Sequence, residues 1–110
     1  LPNKLKLEYD LDAYVERIKN NSSVFHTFIN KQSLAAGVLV LEPEEEDTQE
    51  PHDSDEVYLI LSGDGFLRID NTDYDVSKNK LFFVAKDVEH HFHGNTKELK
   101  VLYFFGAPGP

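Results

Sequence analysis

His52, Glu56 and His90 are the residues whose types and spacing could do chemistry in this chain. His52 and Glu56 bracket a short acidic turn, Asp53-Ser-Asp55, and an apolar strand runs from there to a glycine turn at Gly63. His90 arrives after another strand, within Val88-Glu-His-His-Phe92. Two imidazoles and one carboxylate suit a borderline first-row divalent ion and leave coordination positions open for substrate. Taken singly, each residue has a plainer origin: His52 beside Pro51 fits a surface loop, and Glu56 fits one more member of an acidic run. Together, the three argue for a metal site enclosed by β-structure. His91 and His93 alternate with His90 and so face away from it. His26, a lone strand histidine, reads as structural.

The elements that must position these side chains are mostly strands. Val24 to Ile29, Leu34 to Leu41, Val57 to Leu61, Phe66 to Ile69, Tyr74 to Val76, Leu81 to Val84, His90 to His93 and Leu99 to Phe105 are rich in β-branched and aromatic residues. Turn chemistry separates them at Asn30-Lys-Gln-Ser33, Gly63-Asp-Gly65, Asn71-Thr-Asp73, Ser77-Lys-Asn79 and Gly94-Asn95. Residues two apart in a strand share a face, so Tyr58 and Ile60 are expected to point the same way as Glu56, and Glu50 the same way as His52. One helix is expected near the start, capped by Asp10, with Leu11, Tyr14, Val15 and Ile18 on one face and an end at Asn20-Asn21. Many short strands at even spacing argue for an all-β barrel or sandwich over βαβ units. The expected organisation is an N-terminal extension with the helix, residues 1–23, followed by one β-domain, residues 24–110. The Gly-Ala-Pro-Gly-Pro tail is expected to be loose.

Composition narrows the function classes. The chain has 110 residues, enough for one core. It carries a net charge of -9, which argues against a nucleic-acid partner, since phosphate contacts need clustered Lys and Arg. Much of the acid lies between Glu42 and Glu56, and Glu44, Glu45 and Glu46 read as a solvated loop. Without cysteine there are no disulfides or thiolate ligands, so a metal site must use nitrogen and oxygen donors. No apolar run is long enough to span a bilayer, which argues against a membrane partner, and a cytoplasmic location is the plain expectation. The chain begins at Leu1 rather than Met, which is compatible with a removed leader.

The spacing resembles the cupin superfamily. Its first motif is a Gly, five residues, His-x-His, three or four residues, Glu, six residues, Gly. Here His52, Glu56 and Gly63 fall on the second His, the Glu and the closing Gly. Its second motif is a Gly, five residues, Pro-x-Gly, two residues, His, three residues, Asn. Asn79, Ala85-Lys-Asp87 and His90 lie on it, and Val88 to Phe92 resembles the usual Val-x-His-x-Phe continuation. The resemblance runs from about Leu34 to Pro108. The departures are specific. Glu50 stands for the first His, and Glu44 stands for the first-motif Gly. Asn79 and Asp87 replace glycines, Ala85 replaces Pro, and Gly94 replaces the Asn. Asn and Asp are the non-glycine residues that best tolerate left-handed backbone, so those turns can survive.

The resemblance implies a double-stranded β-helix, or jelly-roll, barrel holding one divalent ion, Fe, Mn, Ni or Zn. His52, Glu56 and His90 would be its ligands, with Glu50 available as a fourth and Gln49 in an outer or ligand role. Oxygenase or isomerase chemistry on a small polar or aromatic compound is the implied activity. A non-catalytic barrel that binds or senses a small molecule is the alternative, and a bare interaction domain is a third. Tyr58, Phe92, Tyr103 and Phe105 read first as barrel filling. Because small barrels also hold ligands among such side chains, Tyr58, Phe92 and Tyr103, with Gln49, are the candidates for substrate contact. Leu99 to Phe105 is apolar on both faces, which suggests a strand covered by the barrel on one side and by the second subunit of a homodimer on the other.

Overall fold

A computed structural model describes residues 5–21 and 23–106. The chain runs α1 (Leu11–Asn20), β1 (Phe25–Asn30), β2 (Leu34–Leu41), β3 (Glu56–Ser62), β4 (Phe66–Ile69), β5 (Thr72–Asp75), β6 (Leu81–Val84), β7 (His90–His93) and β8 (Leu99–Gly106). The strands form a five-stranded sheet, in order β1-β2-β8-β3-β6, and a three-stranded sheet, in order β5-β4-β7. All pairings are antiparallel. This is the expected all-β, double-stranded β-helix architecture with one short helix. Gly106, expected to open a loose tail, instead ends β8, its N–H donating to the Asp55 carbonyl at 3.0 Å. The rest of the tail lies outside the described residues, and no helix among those described is long and apolar enough to cross a membrane.

Strand alternation explains how one apolar run serves two cores. In β2, Leu39 and Leu41 face inward and join Tyr58, Ile60, Leu67, Phe92, Leu99 and Val101 between the sheets. Val38 and Val40 face the opposite way and pack against Tyr14, Val15 and Ile18 of α1. The helix begins as its sequence demands: the Asp10 carboxylate accepts the Asp12 backbone N–H at 3.1 Å. Leu102 of β8 also packs into the helix cluster. The outer side of β8, expected to be covered by a partner, is therefore covered in part by the chain's own helix.

One turn falls earlier than the sequence suggested. Ile69 pairs directly with Thr72, so the β4-β5 hairpin turns at Asp70-Asn71, and β5 starts at Thr72 instead of Tyr74. Asp70 adopts the left-handed backbone (φ 55°) that makes so tight a reversal feasible. Gly63 is required on two counts: its φ is 105°, and a Cβ there would press on the Glu98 carbonyl and Leu99 Cα.

Candidate metal centre

β3 opens with Glu56, and its alternation buries Glu56, Tyr58 and Ile60 together, as the sequence required. β7 opens with His90 and likewise buries His90 and Phe92 while His91 is exposed. His52 comes from the loop before β3. The two motif regions are clamped together by backbone: the Asp87 N–H donates to the His52 carbonyl at 2.7 Å, and the Lys86 N–H donates to an Asp55 carboxylate oxygen at 3.0 Å. Asp87 reaches that carbonyl from a left-handed conformation (φ 64°), and Asn79 is also left-handed (φ 74°), so both replacements of glycine keep the glycine geometry. Glu44, at the first-motif glycine position, does the same (φ 68°), which its side-chain type gave no reason to expect.

His52, Glu56 and His90 each offer a ligand atom, and these atoms lie within 4.8 Å of one another. Glu56 is 1% exposed, and neither of its carboxylate oxygens has a hydrogen-bond partner; Nε2 of His52 is buried and unpartnered as well. Glu56 Oε1 approaches His90 Nε2 to 3.1 Å, but without hydrogen-bond alignment. His90 Nδ1 donates to the Val88 carbonyl at 2.9 Å, which turns Nε2 toward the other two residues. Buried lone pairs converging without protein partners are what a cation would satisfy, so the residues present fit a divalent ion.

Electrostatics reinforce the cluster. Burial by itself lowers the His90 imidazole, but the Glu56 carboxylate and the Val88 carbonyl outweigh it, and the ring titrates above its ordinary value. Burial, then the neighbouring Glu56 charge, pushes the Tyr58 phenol far above its usual range, so it stays protonated. Burial also raises Tyr103, to about 12.

The remaining expected residues fall in distinct places. Glu50 is exposed and stands outside the group of converging atoms. The alternation argument for Glu50 and His52 has no strand to stand on, because the chain between β2 and β3 is irregular, although both residues line one cavity. Tyr58 is more than filling: its hydroxyl lies 2.9 Å from His90 Nε2 and donates to Gln49 Oε1 at 2.9 Å. Phe92 meets Tyr58 edge-on at 5.0 Å between ring centroids and belongs to the core. Tyr103 shares a 2.7 Å hydrogen bond with Thr27 and lines a cavity of about 440 Å³ with Phe25, Phe105, Gln49, Glu50 and His52. A Cβ at Gly37 would collide with the Tyr103 hydroxyl and ring, so that glycine makes the phenol's position possible.

Asp47 is the residue that sequence reasoning missed. It was indistinguishable from the acidic run around it, yet it is buried. Its Oδ2 accepts the Phe92 N–H at 2.8 Å and Gln49 Nε2 at 3.0 Å.

Comparison with known proteins agrees with this architecture. Residues 37–105 match the family described as Cupin domain. An uncharacterized protein of Streptomyces coelicolor is 28% identical over 100 residues, covering 91% of this chain and 95% of its own. An RmlC-like cupin family protein with a double-stranded β-helix fold from Methanocaldococcus jannaschii superposes with a TM-score of 0.75 at 16% identity, over 96% of this chain and 93% of that one. A protein from Photorhabdus luminescens superposes with a TM-score of 0.70 at 17% identity, over 94% and 88% of the two chains. At these identities the superpositions speak to fold alone.

Proposed function

Because this chain belongs to the cupin family, we propose that His52, Glu56 and His90 hold one divalent ion, Fe, Mn, Ni or Zn, beside a pocket for a small polar or aromatic compound. The observation that carries this reading is the convergence of buried, unpartnered atoms of His52 and Glu56 on the Nε2 face of His90. When bound, the ion supplies Lewis acidity with open positions, which suits oxygenase or isomerase chemistry. The chain's own residues do the rest. Val88 fixes the His90 ring, Glu56 supplies the negative charge, and Phe105 packs against His52 at 4.2 Å between ring centroids.

Elemental analysis of the purified protein beside its His90→Ala variant tests the reading. Near-stoichiometric metal that disappears in the variant supports it. Metal retained in His90→Ala, or none taken up by the native protein after reconstitution, overturns it.

A second reading, a non-catalytic binding barrel, is favoured by the position of Glu50 at the family's first His, outside the converging group. It expects a ligand to raise the melting temperature equally with and without chelator. The proposal also includes a homodimer, supported by exposed apolar side chains along β6, Leu81 and Phe83.

A further inference from the structure

Tyr58 has one hydroxyl proton and two neighbours within 2.9 Å, Gln49 Oε1 and His90 Nε2. Asp47 decides between them. Its carboxylate can only accept, and it is held by the Phe92 and Gln49 backbone N–H groups at 2.8 and 3.2 Å. The Gln49 amide must therefore turn its Nε2 toward Asp47, at 3.0 Å, and its oxygen toward Tyr58. That oxygen takes the phenolic proton, and the Tyr58 oxygen is left facing the centre with its lone pairs.

We propose that Tyr58, oriented by Gln49 and Asp47, presents a hydrogen-bond acceptor to the metal centre and so selects a neutral, proton-bearing ligand there, water or a hydroxyl compound, over an anion. This rests on the metal reading above and adds the class of ligand it takes.

The cavities beside the centre point the same way. One of about 500 Å³ is lined by Glu44, Glu45, Glu46, Asp47 and Glu89 along with His90, and the 440 Å³ cavity carries Glu50. Among the described residues, no lysine or arginine lines either one. On its way to the metal, an approaching carboxylate or phosphate would pass like charge and meet no lysine or arginine to replace its hydration. A neutral hydroxyl would find the Tyr58 oxygen to donate to.

The test uses cobalt(II) as a visible-absorbing metal and azide as an anionic probe, in the native protein and in the Tyr58→Phe and Gln49→Leu variants. Native cobalt protein is expected to bind azide weakly. Tyr58→Phe removes the facing lone pairs, and Gln49→Leu frees the phenolic proton to turn toward the bound anion. Both should tighten azide binding, Tyr58→Phe by loss of the lone-pair repulsion and Gln49→Leu by about tenfold, the equivalent of one hydrogen bond gained. Azide affinity that is unchanged in both variants, with cobalt bound normally, overturns the proposal. Failure of cobalt to bind at all overturns the metal reading instead. In that case, proton NMR of the metal-free protein still decides the hydroxyl orientation on which this proposal stands. A Tyr58 hydroxyl resonance with cross-relaxation to the Gln49 side chain supports it, and cross-relaxation to the His90 ring alone overturns it.

Discussion

The Glu56 carboxylate stands 3.1 Å from Nε2 of His90, with both side chains almost completely buried, yet neither Glu56 oxygen makes an aligned hydrogen bond. A buried carboxylate without hydrogen bonds is destabilising unless a cation neutralises it. The local chemistry is therefore arranged for something other than the stability of the bare chain.

Glu56→Gln separates those two demands, because it keeps the shape and removes the charge. Its metal affinity should fall by more than the roughly 10–100-fold lost with an outer partner alone. At alkaline pH, where His90 is neutral, the metal-free variant should be more stable than the native chain by about 1–3 kcal/mol. Calorimetric metal titration and urea unfolding check the two halves. Metal affinity equal to that of the native protein would remove Glu56 from the ligand set.

His90 gives a pH signature. Its imidazole is raised above the ordinary 6.5 because burial, which lowers it, is outweighed by Glu56 and Val88. A raised folded-state value means that the protonated ring contributes stability that is fully present below 6.5 and is lost as pH climbs through the folded value. Metal works in the opposite direction, because coordination needs the neutral ring. As pH rises through that window, the metal-free protein should lose thermal stability while metal affinity increases. Melting curves with and without chelator across the window check this, and His90→Gln should flatten both trends. Parallel slopes in native and variant protein would detach the effect from His90.

The elements were legible because local chemistry and tertiary demand agree in them. Asp10 caps α1, and Glu56, Tyr58 and Ile60 fall on one buried face by simple alternation. The same rule did not reach Glu50, since alternation holds only inside a strand and the segment between β2 and β3 is irregular. Asp47 and Glu44 were hidden for a related reason. In an acidic loop, neither burial nor a left-handed backbone leaves a mark on residue type. Within the candidate site, the convergence of His52, Glu56 and His90 could be read from spacing, whereas the Asp47-Gln49-Tyr58 chain depends on how the loop folds back over β3 and β7.

Gly37 tests the wall of the 440 Å³ cavity. In Gly37→Ala the added methyl would meet the Tyr103 hydroxyl, its ring and the His26 carbonyl. Relief requires Tyr103 to leave its 2.7 Å hydrogen bond with Thr27. Overpacking of this kind costs about 1–3 kcal/mol. Urea unfolding should show that loss, whereas Thr27→Val should show only the smaller loss of about 1 kcal/mol expected of one hydrogen bond. Gly37→Ala with unchanged stability would mean that Tyr103 has somewhere else to go.

Association is the last property that the surface makes testable. β6 is an edge strand of the five-stranded sheet, and its outward residues Leu81 and Phe83 are 62% and 59% exposed. They stand opposite Leu59 and Val57 of β3, and Phe104 of β8 pairs with Val57 from the other side, so the apolar side chains are contiguous. An open edge beside an apolar face invites a second copy related by a two-fold axis. The α1 helix already covers Leu102 further along the same sheet, which limits the partner to the β3-β6 end. Sedimentation of the native protein should give a dimer, and the double variant Leu81→Lys, Phe83→Lys should give a monomer that still binds metal. A native protein that sediments as a monomer throughout the micromolar range would leave that face to solvent and end the dimer reading.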